Sequence, residues 1–411
     1  MGAGTSRDFA IILYGATGFT GKLVAEYLLQ QYGADGDLRW AMAGRSLEKL
    51  EQVQRELGNP DLTLLVGDSN EAASLRALAR QTRVVCTTVG PYALYGSKLV
   101  AACVAEGTHY CDLTGETQWM RKMIDQHQQE AEESGARIVH TCGFDSIPSD
   151  MGVLFLQNAM QEKHGHPASH IKYRVDKASG TFSGGTVASL INVLEEAGRD
   201  KGLRKLLADP YALNPKDSAR GEDVNDQTTA VYDEDLERWT LPFVMAAINT
   251  RVVRRSNALM HGRYGEDFRY DEAMLASENM GTVTAKLAGA GMTAGMVSLA
   301  IPPLRAVAKR FLPKPGEGPS LEVREKGFFD IILYGVNGAD RDGDMVARVT
   351  GDRDPGYGST SKMLAESAVC LAKDKLDCTG GFWTPASAMG EILLERLQAS
   401  AGLRFEITQG A

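Results

Sequence analysis

From Phe9 to Thr141 the chain alternates uninterrupted apolar runs with amphipathic stretches, and few architectures accept that rhythm. FAIILYG, LRWAMAG, LTLLVG, VVCTTVG, HYCDL and RIVHT each read as strands buried on both faces. Helical patterns separate them: residues 20–31, SLEKLEQVQREL, SNEAASLRALARQ, SKLVAACVAEG and a long polar helix around 118–134. Strands joined by helical crossovers lie parallel. The expectation is therefore an α/β chain with a Rossmann doubly wound parallel sheet of about six strands.

With 411 residues, the chain exceeds what one growing core supports, so a second domain is expected. The rhythm breaks after Gly143. Predicted strands IKYRVDKA, FFDIILYG and DMVARVTG then mix with helices and polar loops, which reads as an α+β domain. The boundaries drawn are 1–145 for the Rossmann domain and 146–375 for the second, with a helix in 376–411 as a candidate to pack back on the first. Its start is marked by Thr384 as N-cap and Pro385 in the first turn. Asp209 to Arg238, rich in Pro, Asp, Asn, Arg and Gly, reads as a long irregular excursion. FDIILYGVNG (329–338) echoes FAIILYGATG (9–18), but it runs into ADRDGD and another strand-like stretch, so it is predicted to be a β-hairpin.

The motif with the most chemical content is Gly15-Ala16-Thr17-Gly18-Phe19-Thr20-Gly21, directly after a buried strand and opening a helix. Gly15 suits the tight turn, Gly18 lets backbone approach a pyrophosphate, and Gly21 allows close packing of helix on sheet. Amides at the helix N-terminus face the phosphates. The second strand ends in Ala43-Gly44-Arg45-Ser46, where an NAD-specific protein would usually place an acid for the ribose 2′-hydroxyl. Arg45, with Lys49 one turn further, offers cations to a 2′-phosphate instead. The predicted cofactor is NADP(H). Asp68 after the third strand is a candidate neighbour of the adenine, with an N-cap as the alternative role. Thr88-Val89-Gly90-Pro91-Tyr92 ends the fourth strand, where the ligand crevice of such a sheet lies.

The net charge of −9 leaves no basic field for nucleic acid. Six cysteines without a CxxC pair argue against zinc and a disulfide framework, and no metal is expected. The N-terminus lacks the pattern of a secretory leader, so a reducing, cytoplasmic location is expected. Gly2 and Ser6 fit a myristoylation pattern too short to outweigh a flexible start. Residues 287–304 carry no charge and are followed by Arg305, Lys309, Arg310 and Lys314. Glycines and paired prolines make this a poor spanning helix. Helix packing on the second domain is the leading reading, and peripheral membrane contact through 287–315 the alternative.

Taken together, LYGATGFTGKL, AGRS, TTVGPY, YCDLTGE, CGFDSIPSD, SGGT, DPGYGST and GGFWTPASAMGE resemble the saccharopine dehydrogenase-like oxidoreductase family, including its trans-acting enoyl reductase branch of lipid biosynthesis. The resemblance spans nearly the whole chain. It implies a Rossmann NADP-binding domain, a second α+β domain, and hydride transfer at their junction. Saccharopine-forming members need cationic clamps for a dicarboxylate, whereas the CGFDSIPSD and SGGT loops carry no arginine, which favours a small or acyl-type substrate. Two alternatives stand: a saccharopine dehydrogenase-type amino-acid oxidoreductase, and a non-catalytic, membrane-associated NADP-binding protein of lipid metabolism. A homodimer is a further expectation.

Reduction of a C=C or C=N bond needs a placed hydride donor, stabilisation of developing negative charge, and a proton source. The candidates for the last two are Tyr92, Asp145, Ser146 and Thr186, with Ser183 beside Thr186. Asp112 and Glu116 are candidates to orient cofactor or partner. His109 and His140, in or beside buried strands, read as core histidines. Tyr173 and Lys177 have the spacing of a short-chain dehydrogenase pair but lie in a predicted strand, where four residues span about 13 Å and the lysine cannot serve the tyrosine.

Overall fold

The computed structural model describes residues 7–34, 36–180, 184–221, 225–308, 310, 318–338 and 343–410. The N-terminal pattern around Gly2 and Ser6, the turn residues of the 329–338 echo at 339–342, Ser183, and the basic residues Lys309 and Lys314 lie outside these.

The first domain is built from β1 (Phe9–Tyr14), α1 (Phe19–Tyr32), β2 (Trp40–Gly44), α2 (Leu47–Leu57), β3 (Thr63–Val66), α3 (Ala72–Gln81), β4 (Thr82–Thr87), α4 (Tyr92–Tyr95), α5 (Ser97–Ala105), β5 (His109–Cys111), α6 (Thr117–Ser134) and β6 (Arg137–Val139). The chain continues through α7 (Ile147–His164), β7 (His170–Ser179), α8 (Gly184–Arg199), α9 (Lys201–Ala208), β8 (Val231–Asp233), β9 (Arg238–Pro242), α10 (Ala246–Leu259), β10 (Arg269–Leu275), α11 (Thr282–Ala300) and α12 (Pro302–Ala308). It ends with α13 (Leu321–Lys326), β11 (Phe328–Val336), β12 (Met345–Gly351), a π-helical turn (Pro355–Ser359), α14 (Thr360–Lys373), β13 (Gly381–Trp383), α15 (Pro385–Ala399) and β14 (Leu403–Gln409).

The first sheet has the order β13-β6-β5-β4-β1-β2-β3 and is parallel throughout. Six strands match the expected doubly wound unit. The seventh, β13, comes from the far end of the chain, where three residues pair with β6. Along β1, Ile11 and Leu13 face one core while Ile12 and Tyr14 face the other, which is why the strand shows no polar alternation. The second sheet, β14-β12-β11-β7-β10-β9-β8, is mixed, with only β7 and β10 parallel. The echo of the glycine motif is strand β11, paired antiparallel with β12, and Tyr173 and Lys177 lie in strand β7.

Helix α14, inside the stretch assigned from sequence to the second domain, lies against β1, β4 and β5 of the first sheet. It is buried over almost its whole length, so an apolar circumference replaces the usual stripe. Helix α15 rests mainly on α14 and α7, and only lightly on the first sheet through β6. Helix α7 in turn covers β11 and β12. The irregular excursion predicted for 209–238 holds edge strand β8, with Asp233 buried beneath it. Its polarity hid the strand because its partners are charges: Lys172 and Arg174 on β7 both bind Asp233.

Among the described residues no helix is long and apolar enough to cross a membrane.

Candidate active site

The glycine loop leaves the carboxyl end of β1, as the apolar strand and the break at Gly15 dictate. Gly15 has φ +94° and donates to Ala43 O at 2.9 Å, tying the loop to β2. A Cβ there would stand 2.6 Å from Val89 Cγ2 and 2.9 Å from Thr88 Oγ1, so the loop also presses on the end of β4. Thr88 Oγ1 donates to Gly15 O at 3.2 Å. At Gly21 a Cβ would fall 2.1 Å from Gly15 O, which fixes how closely α1 approaches the turn. Gly18 is different. It is exposed, a Cβ would meet nothing nearer than Gly15 O at 3.4 Å, and as N-cap of α1 it receives no side-chain capping bond. An uncapped helix start with open space before it is an anion site. Phe19 turns away from that space, its ring edge-on to Tyr357 of the π-helical turn at 4.6 Å. Ala16 is buried, while Thr17 and Thr20 sit half-buried along the loop.

Arg45 projects from the end of β2, exposed and without a hydrogen-bond or ionic partner among the described residues. Ser46 caps α2, accepting from the Lys49 amide at 3.3 Å, so Arg45, Ser46 and the exposed Lys49 surround a second helix N-terminus. Asp68 is not at the N-cap of α3, a position held by Glu71 without a side-chain capping bond; its Oδ1 accepts from the amide and side chain of Asn70 in a tight turn.

Tyr92, a catalytic candidate from sequence, has its side chain turned into the core. Its ring is buried against Trp119, its hydroxyl donates to Thr87 O at 3.3 Å and accepts from Leu113 N at 3.2 Å. The hydroxyl is thus engaged with backbone on both sides, and burial raises it well above the usual phenol range. The position matters through its amide. Tyr92 N and Ala93 N both donate to the Glu116 carboxylate, at 2.7 and 2.8 Å, just after the Gly90–Pro91 turn. Ser189 on α8 donates to the same carboxylate at 2.8 Å. Glu116 is fully buried, and burial raises its pKa in spite of these bonds.

Asp112 anchors the ends of β5 and β6. Its oxygens take the Tyr110 hydroxyl at 2.8 Å, the Thr114 and Thr141 amides at 3.0 and 3.2 Å, and pair with His140 Nδ1 at 2.8 Å. Those bonds hold Thr141 at φ 62°, a conformation that a β-branched residue adopts only under constraint. His140 lies between Trp119 and Phe382, and His109 accepts from Arg137 N, its pKa lowered to about 4 by burial and then by nearby Arg137.

The loop after β6 carries Asp145 and Ser146. Ser146 is fully buried and donates to Asn249 Oδ1 at 3.0 Å, which ties the start of α7 to α10. Asp145 is half-buried, and its carboxyl has no hydrogen-bond partner among the described residues. Burial, and then the neighbouring Asp112 carboxylate, raise its pKa to about 7. Thr186 belongs to α8, with its side chain outside the described residues. The structure therefore brings together the glycine loop, the ends of β4, β5 and β6, and α8. Ser189 gave no signal in the sequence, and Glu116 gave only its place in a turn.

A separate cavity of about 390 Å³ lies over the second sheet, lined by Lys172, Arg174, Asp233, Asp235 and Asp271. Its two cations are both paired with its acids, so it offers an anionic ligand no free cation.

The comparisons with known proteins agree with this geometry. Residues 11–139 match the family model described as the saccharopine dehydrogenase NADP binding domain. A Mycobacterium tuberculosis protein provisionally named a trans-acting enoyl reductase is 43 % identical, covering 98 % of this chain and 99 % of its own. Trans-acting enoyl reductases of Mycobacterium tuberculosis and Mycobacterium ulcerans are each 38 % identical, covering 95 % of this chain and 96 % of theirs. Among solved structures, the apo saccharopine dehydrogenase (L-Glu forming) of Saccharomyces cerevisiae shares the fold, with TM-score 0.53 at 11 % identity over 97 % of this chain and 99 % of that one. The chain belongs to the saccharopine dehydrogenase-like family of NADP-binding oxidoreductases, alongside the trans-acting enoyl reductases.

Proposed function

We propose that the chain is an NADPH-dependent reductase of a C=C bond conjugated to an acyl carbonyl. NADPH, when bound, supplies the hydride. The amides of the first turn of α1, beyond Gly18, receive its pyrophosphate, and Arg45 with Lys49 receives the 2′-phosphate. Arg45 supports that choice because its guanidinium is exposed and otherwise unused.

The single observation that carries the catalytic reading is Asp145. A carboxyl poised at about 7, without an internal partner, and at the carboxyl end of the sheet is a proton donor at neutral pH. Hydride addition to the β-carbon leaves negative charge on the acyl oxygen and α-carbon, and protonation at the α-carbon completes saturation. Asp145 gives that proton and is reprotonated from solvent through its exposed side.

The acyl substrate is favoured over an amino-acid dicarboxylate because the buried arginines of α10 are already committed. Arg251 binds Asp226, Arg254 donates to Tyr270 O, and Arg255 donates to Leu213 O and Phe382 O. Transfer of deuterium from stereospecifically labelled NADPH to an α,β-unsaturated acyl thioester tests the reading. Label in the saturated product is the expected result, and transfer only to an imine would replace this substrate class with the amino-acid type.

A further inference from the structure

The longest helix outside the two cores is out of keeping with its surroundings. Helix α11 is apolar around its circumference, yet only Ala285 and Gly289 are buried. That narrow seam packs against the segment before β8: a Cβ on Gly289 would meet Ala230 N at 2.7 Å, and Thr293 hydrogen-bonds Thr228 O. The remainder faces outward. Val283 is 72 % exposed, Leu287 69 % and Val297 55 %, and with Ile301 they fall on one stripe at helical spacing. Leu304 and Val307 on the following α12 are exposed as well.

A monomeric surface rarely leaves so many large apolar side chains together. Charge identifies the occupant. From Asn279 to Gly316 there are five cations, Lys286, Arg305, Lys309, Arg310 and Lys314, and no acid, in a chain whose net charge is −9. Arg305 is turned inward to Glu195 on α8, whereas Lys286 and Arg310 are exposed. An apolar face bordered by cations has the chemistry of a helix lying in the headgroup layer of an anionic bilayer. Glycines and alanines give it a flat profile but too little hydropathy to span.

We infer that α11 and α12 form a docking surface for an anionic lipid membrane, held by apolar insertion and basic flanks. This surface also touches the site, because α11 packs on α8 and α8 reaches Glu116 through Ser189. The inference rests on the surface alone and not on the reductase reading.

The test is flotation of the full chain with vesicles of phosphatidylglycerol and phosphatidylcholine, beside vesicles of phosphatidylcholine only. Binding to the anionic vesicles, weakened by salt, is expected. A triple variant, Leu287→Ser with Val297→Ser and Ile301→Ser, should lose about tenfold or more of that binding. Its melting temperature and NADPH affinity should stay unchanged, since these side chains point away from the core. Failure of the wild type to float, or equal flotation of the variant, overturns the inference. So does a wild-type dimer that the variant splits without any vesicle binding, which would assign the face to a second copy. NADPH binding, measured on the same samples, reports separately on the cofactor site.

Discussion

The Ser189 hydroxyl on α8 donates to Glu116 Oε1 at 2.8 Å, and the same carboxylate receives the Tyr92 and Ala93 amides at the end of β4. One buried acid thus joins a helix of the second domain to the loop beside the cofactor crevice. Ser189→Ala removes one of three donors and is expected to cost about 1 kcal/mol of stability. Glu116→Ala orphans two buried amides and should cost about 1–3 kcal/mol for each. Urea denaturation of both variants checks the ranking, and a Ser189→Ala loss equal to that of Glu116→Ala contradicts it.

Arg45→Ala should weaken NADPH binding by roughly 10- to 100-fold, the size of a lost charge-assisted hydrogen bond. NADH, lacking the 2′-phosphate, should bind wild type and variant alike. Calorimetric titration with both nucleotides decides it; an equal loss for the two would remove Arg45 from 2′-phosphate recognition.

Asp145 is protonated below its pKa of about 7 and ionised above it, so a rate that depends on it as an acid falls as pH rises through 7. Asp145→Asn should lower kcat by roughly 100-fold or more and flatten the alkaline limb. Cofactor affinity should be unchanged. A variant that keeps both the rate and the limb assigns the proton to another group.

Tyr92→Phe should retain activity, because the hydroxyl it removes serves only Thr87 O and Leu113 N. A stability loss of about 1 kcal/mol is expected. Loss of turnover with the fold intact would restore this tyrosine to the catalytic set.

Asp150 carries a pH signature of its own. It sits fully buried on α7, accepting from Ser256 and from the Ala386 amide at 2.8 Å, where it caps α15 from a distance. Burial raises its pKa from 3.8 to about 7. Between those values the folded chain holds a proton that the unfolded chain has released, so this contribution to stability is complete below the lower value and fades as pH rises towards 7. Asp150→Asn, which can still accept from Ala386 and meet Ser256, should lack that part of the slope when melting temperature is followed from pH 5 to 8. An unchanged slope would show that Asp150 is ionised throughout.

The doubly wound sheet was legible because strands buried on both faces cannot alternate: Ile11 to Tyr14 announce themselves. Gly15 and Gly21 were equally plain, since their contacts tolerate no side chain. What residue type cannot disclose is direction. Tyr92 stands where a crevice residue should, but its ring turned into the core, and Ser146 became a bridge to Asn249. Strand β8 was hidden because its stabilising partners are ions on β7, far away in sequence. Strand β13 was hidden because three residues carry no period.

Helix α14 rests on the first sheet, α15 on α14, and α7 on α15 and the second sheet, so apolar contact runs through the molecule without a seam. Such a stack has no plane along which its halves could swing apart. The body should therefore melt as one cooperative unit, with binding at one end felt as rigidity at the other.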